Sequence, residues 1–270
     1  MGDITERIQS ADTRQLNQLT TVEHRYSESS MCGRYVRKSA QEILAEWFEM
    51  DLEQMRWGQP TWDAAPQSFQ PVVRLNPETG RREMPLMRWG LIPSWAKDER
   101  IGLSTISARA EEAATKPAFL DALKKRRCLV PADAYYEWQK TGPKTRQPYA
   151  ITLTGGEPIV FAGLWESWRD TDGQPLETFT ILTTTANERL AAIHNRMPVI
   201  VERKDYARWL DAPSASEPSA ELLRAATPDR IDLWPVSDRV GNTRNNDDVL
   251  LDPINTTGEG TQGQLFKLDS

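Results

Sequence analysis

The sequence predicts an α+β fold: a single domain of mainly antiparallel, curved, barrel-like sheets with peripheral helices. Three observations predict it. Short β-branched and aromatic runs recur along the chain. Gly- and Pro-containing turns of hairpin length separate several of them. The few helical patterns are short and do not alternate with the strands in a βαβ rhythm.

The elements follow in order. Gly33–Arg37 is strand-like. Ser39-Ala40-Gln41-Glu42 reads as a capping box, and Ile43, Leu44, Trp47 and Phe48 then form an apolar face, so a helix is expected to about Met50. Pro71–Leu75 and Met84–Gly90 read as strands, with Asn76-Pro77-Glu78-Thr79-Gly80 closing a hairpin between them. Pro117 opens a short helix through Phe119, Leu120 and Leu123. Cys128–Val130, Tyr135–Gln139, Pro148–Leu153 and Ile159–Trp165 follow as strands, with turns at Gly142-Pro143 and Gly155-Gly156. Phe179–Thr184 is a strand that leads into a helix through Leu190 and Ile193. Pro198–Val201, helices at Tyr206–Leu210 and Pro218–Ala226, and the strand Asp232–Val236 complete the domain. The expected domain is 31–257. Residues 1–30 are polar and read as a disordered extension or a wrongly chosen start; 258–270 read as a flexible tail.

Composition narrows the function. The net charge is −6. Residues 1–30 carry five acids and three Arg (−2) and 251–270 carry three acids and one Lys (−2), which leaves −2 between them. That balance argues against a protein that grips long duplexes by charge. Two Cys far apart and no signal-peptide pattern point to a reducing cytoplasm, with nucleoid association when bound to DNA. Two Cys and two His without close spacing argue against a structural metal, and no cofactor is expected. No apolar run is long enough for a membrane span.

Four stretches place unusual groups in loops or at strand ends: Met31-Cys32-Gly33-Arg34-Tyr35, Ser107-Ala108-Arg109-Ala110-Glu111, Ala134-Tyr135-Tyr136-Glu137-Trp138 and Ile193-His194-Asn195-Arg196-Met197-Pro198. The first looks like a protein's beginning. Were Met31 a start and then removed, Cys32 would carry a free amine and a thiol on adjacent carbons. Such a 1,2-aminothiol condenses with an aldehyde to a thiazolidine. The plain alternative is a mid-chain turn with an ordinary thiol.

With Trp89-Gly90-Leu91-Ile92-Pro93-Ser94-Trp95, Ala132-Asp133, Trp234-Pro235-Val236-Ser237 and Val240-Gly241-Asn242, these stretches resemble the SOS response-associated peptidase family. Its bacterial and eukaryotic members shield abasic sites in single-stranded DNA. The resemblance runs in order from Met31 to about Pro253. It implies that Cys32 is the nucleophile through both its atoms, attacking the aldehyde of a ring-opened abasic sugar. The amine titrates near about 7.7–8 and the thiol near about 8.5, so both are usable at cellular pH. Glu137 matches the catalytic carboxylate; aromatic neighbours would raise its pKa for proton shuttling. His194 matches the active-site histidine, which protonates the departing ring oxygen or stabilises the open aldehyde.

Arg34 and Arg109 would hold the flanking phosphates, and the loop residue Trp95 would stack on a base. Thr183 completes the expected DNA contacts. Two departures stand out: Ser107 and Asp63 occupy positions where the family commonly has Asn. Ser107 belongs to the expected catalytic set, and Asp63 lies on the expected DNA path, where an acid weakens binding unless paired.

The leading expectation is a monomer that crosslinks to abasic single-stranded DNA, with an associated self-processing peptidase and lyase-type activity. The alternatives are a thiol-dependent peptidase acting on proteins and a noncovalent single-strand-binding module. Thiazolidine formation needs a free amine on Cys32, which in the 270-residue chain is a peptide amide. Residues 1–31 are therefore expected to be absent from the active protein.

Overall fold

Two strands of eleven residues set the architecture. In β11 (Ile159–Arg169), Ile159 and Phe161 point into one apolar cluster while Val160, Ala162 and Leu164 point into another. Both faces are therefore buried, as period-two alternation demands of a strand covered on each side. Its neighbour β12 (Pro175–Thr185) does the same with Phe179 and Ile181 on one side and Leu182 on the other.

The computed structural model describes residues 33–210, 218 and 220–255. The expected extension over 1–30, Met31, Cys32 and the expected tail over 258–270 lie outside the described residues.

The first sheet joins β14 (Ile231–Pro235), β10 (Arg146–Leu153), β9 (Ala134–Lys140), β1 (Tyr35–Arg37) and β2 (Thr61–Ala64), in that order. The second joins β3 (Phe69–Pro71), β6 (Leu86–Trp89), β12, β11 and β8 (Arg127–Ala132). Two further strands, β7 (Ser107–Arg109), which runs straight into α2 (Ala110–Ala113), and β13 (Arg196–Pro198), also pair with β12. Pairing is antiparallel except where β12 meets β6 and β7.

The two sheets share a core that contains Tyr35, Tyr135 and Ile151 from the first and Trp89, Val130, Phe161 and Phe179 from the second. Tyr35 lies 5.1 Å from Trp89 and meets Phe161 edge-on at 6.0 Å. Burying each such ring contributes roughly 1.5–3 kcal/mol. The outer face of the second sheet is covered by α1 (Gln41–Phe48), α3 (Leu120–Lys125) and α5 (Tyr206–Leu210), through Leu44, Phe48, Leu123 and Trp209. The outer face of the first sheet, with Val36 and Tyr136, is covered by Val236, Val240 and Leu250. The result is the expected mixed α+β single domain with curled sheets.

Several local expectations change. No side chain caps α1, whose N-cap position is Ala40. Ser39 turns instead to the Asp133 carboxylate, which accepts its hydroxyl and, at 2.9 Å, its N–H. Ile43, expected on the apolar face, is 47% exposed. The expected hairpin splits: β4 (Arg74–Leu75) pairs with β5 (Arg82–Glu83), whereas β3 pairs with β6. Between these pairs Val73 exchanges two 2.8 Å hydrogen bonds with Leu129. Within the expected helix Pro218–Ala226 the described residues form a 3-10 turn, Ala220–Leu223.

Candidate active site

The site is built outward from β9. Along this strand Tyr135 and Glu137 share a face by alternation, so Glu137 lies at the margin of the inter-sheet core, only 5% exposed. Beside β9 runs β1, with Tyr35 opposite Tyr135 and Val36 opposite Ala134. The Tyr136 N–H donates to the Arg34 carbonyl at 3.0 Å. Continuing this register sets Gly33, the first described residue, across from Glu137.

A second strand end brings Ser107. It begins β7, which runs parallel to β12 with Ile181 opposite Ser107 and Thr183 opposite Arg109. The preceding Ile106 is buried in the core that holds Tyr35 and Tyr135, and its carbonyl accepts the Trp89 indole N–H at 2.8 Å. Ser107 is half-buried, one step beyond that anchor.

His194 comes from the turn after α4 (Glu188–Ala191). Asn187 caps this helix, accepting the Leu190 N–H at 3.0 Å, and the His194 N–H closes the turn onto the Leu190 carbonyl at 2.9 Å. Ile193 roots the turn in the same core, and the Gln139 amide of β9 donates to the Ala192 carbonyl at 3.0 Å. These contacts hold the turn against the end of the strand that carries Glu137. The His194 Nδ1 accepts the Arg196 N–H at 3.2 Å, which assigns the remaining ring proton to Nε2. Burial lowers the imidazole's pKa below its ordinary 6.5, and the charges of Arg146 and Arg196 press the same way. His194 is therefore a neutral donor at neutral pH.

Arg196, which the sequence reading passed over, organises the next layer. Its guanidinium grips Glu111 with two bonds of 2.9 and 2.7 Å and donates to the Thr183 carbonyl at 2.6 Å. The hydrogen bond from Arg196 holds the Glu111 carboxyl below its usual range. Glu111 ends the stretch Ser107–Glu111 and Arg196 lies within Ile193–Pro198, so their opposite charges were the available signal. Thr183 is 2% exposed, with its hydroxyl 3.3 Å from the Ala108 carbonyl. The Arg109 side chain is 57% exposed and paired with Glu112 at 2.9 Å. Trp95, 58% exposed, stands in the loop between β6 and β7, which the Trp168 indole N–H fastens through the Ala96 carbonyl at 2.7 Å. Gly90 starts this loop at φ +123°, and a Cβ there would lie 2.3 Å from the Gly102 carbonyl oxygen, so only glycine fits.

Arg34 and Asp63 belong to the other face of the first sheet. Arg34 precedes Tyr35 and points the opposite way, where it donates to Asp63 at 2.8 Å and to the Val240 carbonyl at 3.1 Å. The side chains are 11% and 0% exposed. Burial raises the Asp63 pKa to about 7, even though Arg34 pulls it down. The structure thus gives Asp63 to Arg34 and closes it off from solvent. Cys32 lies outside the described residues. Cys128 is fully buried, and burial pushes its thiol far above the ordinary range, so it is an inert core residue.

The structure thus offers a buried carboxylate on the strand beside β1, a neutral imidazole donor on a turn bonded to that same strand, and a half-buried hydroxyl one residue beyond the shared core. Comparison with known proteins shows what the chain as a whole is similar to. The family model described as SOS response associated peptidase (SRAP) matches residues 31–243. The chain is 38% identical over 226 residues to the abasic site processing protein YoqW of Bacillus subtilis (strain 168), covering 82% of this chain and 99% of that one. It is 32% identical over 226 residues to the abasic site processing protein HMCES of Gallus gallus, covering 72% of this chain and 66% of that protein. Among solved structures, a Bacteroides thetaiotaomicron protein superposes with a TM-score of 0.70 at 24% identity, covering 83% of this chain and 99% of that chain. A Bordetella bronchiseptica protein gives 0.66 at 27%, covering 76% of this chain and 100% of that chain. With most of its length matched by that model and by relatives of this similarity, the chain belongs to the SOS response associated peptidase family.

Proposed function

We propose that this chain processes abasic sites in single-stranded DNA by crosslinking to them through Cys32, and that its active form begins at that residue. The observation that carries the reading is the register of β1 on β9. Continued past Arg34, whose carbonyl accepts the Tyr136 N–H, that register brings Gly33, the residue joined directly to Cys32, opposite Glu137, whose side chain is buried. The relatives named above are abasic site processing proteins. The start of the family match at residue 31 supports an active chain without the preceding residues.

In this reading the Cys32 amine adds to C1′ of the ring-opened sugar and loses water to give an imine. The Cys32 thiolate then adds to the imine carbon and the nitrogen takes up a proton, closing the thiazolidine. Glu137 carries protons to and from the nitrogen and the departing oxygen. His194 offers its Nε2–H to the sugar's ring oxygen or to the open aldehyde. Ser107 supplies one hydroxyl where an amide would offer two donors. The exposed Arg109 and Trp95 are the side chains left to meet the strand; Thr183, 2% exposed and hydrogen-bonded to Ala108 and Arg196, is too deeply buried for the DNA contact expected of it. The chemistry itself needs no metal or cofactor, and one copy of the chain carries every group it uses. Removal of residues 1–31 by the chain itself would be the peptidase step.

The test mixes protein that begins at Cys32 with a single strand holding one abasic site and resolves the products on a denaturing gel. A crosslink is expected that disappears with Cys32→Ala and when residues 1–31 are retained without cleavage. Its survival in either case refutes the reading. Turnover of unrelated peptides, without any crosslink, would favour the peptidase alternative.

A further inference from the structure

Asp63 poses a problem that stability does not solve. Its side chain is 0% exposed, one oxygen meets Arg34, and the other has no hydrogen-bond partner among the described residues. A buried pair with an unsatisfied oxygen is a poor source of stability, because desolvation offsets the Coulomb attraction. Burial also raises the Asp63 pKa to about 7, so the ionised form is disfavoured where it sits.

The contacts around the pair indicate what it does. The Arg34 carbonyl accepts the Tyr136 N–H, and the Tyr136 hydroxyl donates to the Trp62 carbonyl at 3.0 Å. Trp62 is joined to Asp63, which closes the circuit on Arg34. The circuit therefore connects the residue just before β1 with the residue just before Glu137. Arg34 also donates to the Val240 carbonyl, and its side chain is only 11% exposed. Little of its guanidinium faces solvent for a phosphate.

We propose that Asp63 is a positioning residue, which through Arg34 fixes the start of β1 relative to Glu137, and that neither residue is a DNA contact. This inference rests on the reading of Cys32 as nucleophile. A misplaced start to β1 would slow the reaction of bound DNA without weakening binding.

The experiment uses protein beginning at Cys32 and three variants: Asp63→Ala, Asp63→Asn and Arg34→Ala. Crosslinking rates are measured at saturating abasic single-stranded DNA. Affinity for an intact strand of the same sequence is measured across salt, and thermal melting checks the fold. Asp63→Ala and Arg34→Ala are expected to slow crosslinking by on the order of tenfold to a hundredfold, as misplacement by about 1 Å does. Asp63→Asn keeps an acceptor for Arg34 and recovers most of the rate. The salt slope of Arg34→Ala equals that of the wild type. A slope shallower by about 0.7, the signature of one lost phosphate contact on a single strand, overturns the inference. So does an unchanged rate in Arg34→Ala. If Asp63→Ala does not fold, Arg34→Ala and Asp63→Asn decide. A wild type that forms no crosslink removes the reading of Cys32 and this inference with it. A wild-type crosslink with unaffected variants removes the inference alone.

Discussion

Replacing Asp63 by Asn should stabilise the protein at alkaline pH and progressively less in acid. Burial raises the pKa of the carboxyl to about 7 in the fold, against 3.8 for an ordinary aspartate. The folded state therefore holds a proton that the unfolded chain releases between those values. The sign follows from linkage: folding takes up a proton in this window, so the wild type loses stability as pH rises through it. At about 1.36 kcal/mol per pK step, the full loss has a ceiling of roughly 4 kcal/mol above pH 7. The attraction of Arg34 is already contained in that pKa. Asn has nearly the same shape, keeps an oxygen for Arg34 and cannot ionise. Urea denaturation of both proteins at about pH 5 and pH 8 measures the effect. His194 and Glu166, whose pKa values are also displaced by burial, are present in both proteins and cancel in the difference. The expected difference is about 1–2 kcal/mol in favour of Asn at pH 5, where the unfolded Asp is already largely ionised, and grows to roughly 3–4 kcal/mol at pH 8. A difference independent of pH, or an Asn variant less stable at pH 8, refutes the reasoning.

Three further outcomes are expected. Glu137→Gln should slow crosslinking by on the order of 10²-fold while single-strand affinity stays unchanged; equal rates would leave Glu137 a structural residue. By nitrogen NMR, His194 should titrate below 6.5, with its proton on Nε2 at neutral pH; a higher midpoint or an Nδ1–H tautomer would contradict the role assigned to it. Gly90→Ala sets a Cβ 2.3 Å from the Gly102 oxygen at φ +123° and should cost more than about 3 kcal/mol in urea denaturation. A loss under about 1 kcal/mol would mean that the loop carrying Trp95 yields easily.

The parts of the fold legible in the sequence are those set by local pattern. Leu44 and Phe48 face the core from α1 as their spacing predicts, and Ile159 to Leu164 alternate as a strand. What the pattern misses depends on partners distant in sequence. The strands β2 and β7 are four and three residues long, too short to carry a signal without β1 and β12 beside them. Ser39 leaves its expected capping role because Asp133, 94 positions away, competes for its hydroxyl. The four chemical stretches were readable as motifs, and the turn of His194 does pack against the strand of Glu137. The pairing of Arg34 with Asp63 was not readable. It requires knowing that β1 and β2 are neighbours and that both side chains leave the sheet on its far face. Arg196 and Glu111 likewise meet only because β7 and β13 both pair with β12.

The central claim is that the Cys32 amine and thiol together capture the lesion. Intact mass spectrometry of the protein–DNA adduct, before and after borohydride treatment, tests it most directly. The account predicts an adduct whose mass is that of the chain from Cys32 plus the oligonucleotide, less one water. It also predicts no change with borohydride, because a thiazolidine has no imine to reduce. An adduct that retains residues 1–31, one that gains two hydrogens on reduction, or one that still forms with Cys32→Ala would contradict it.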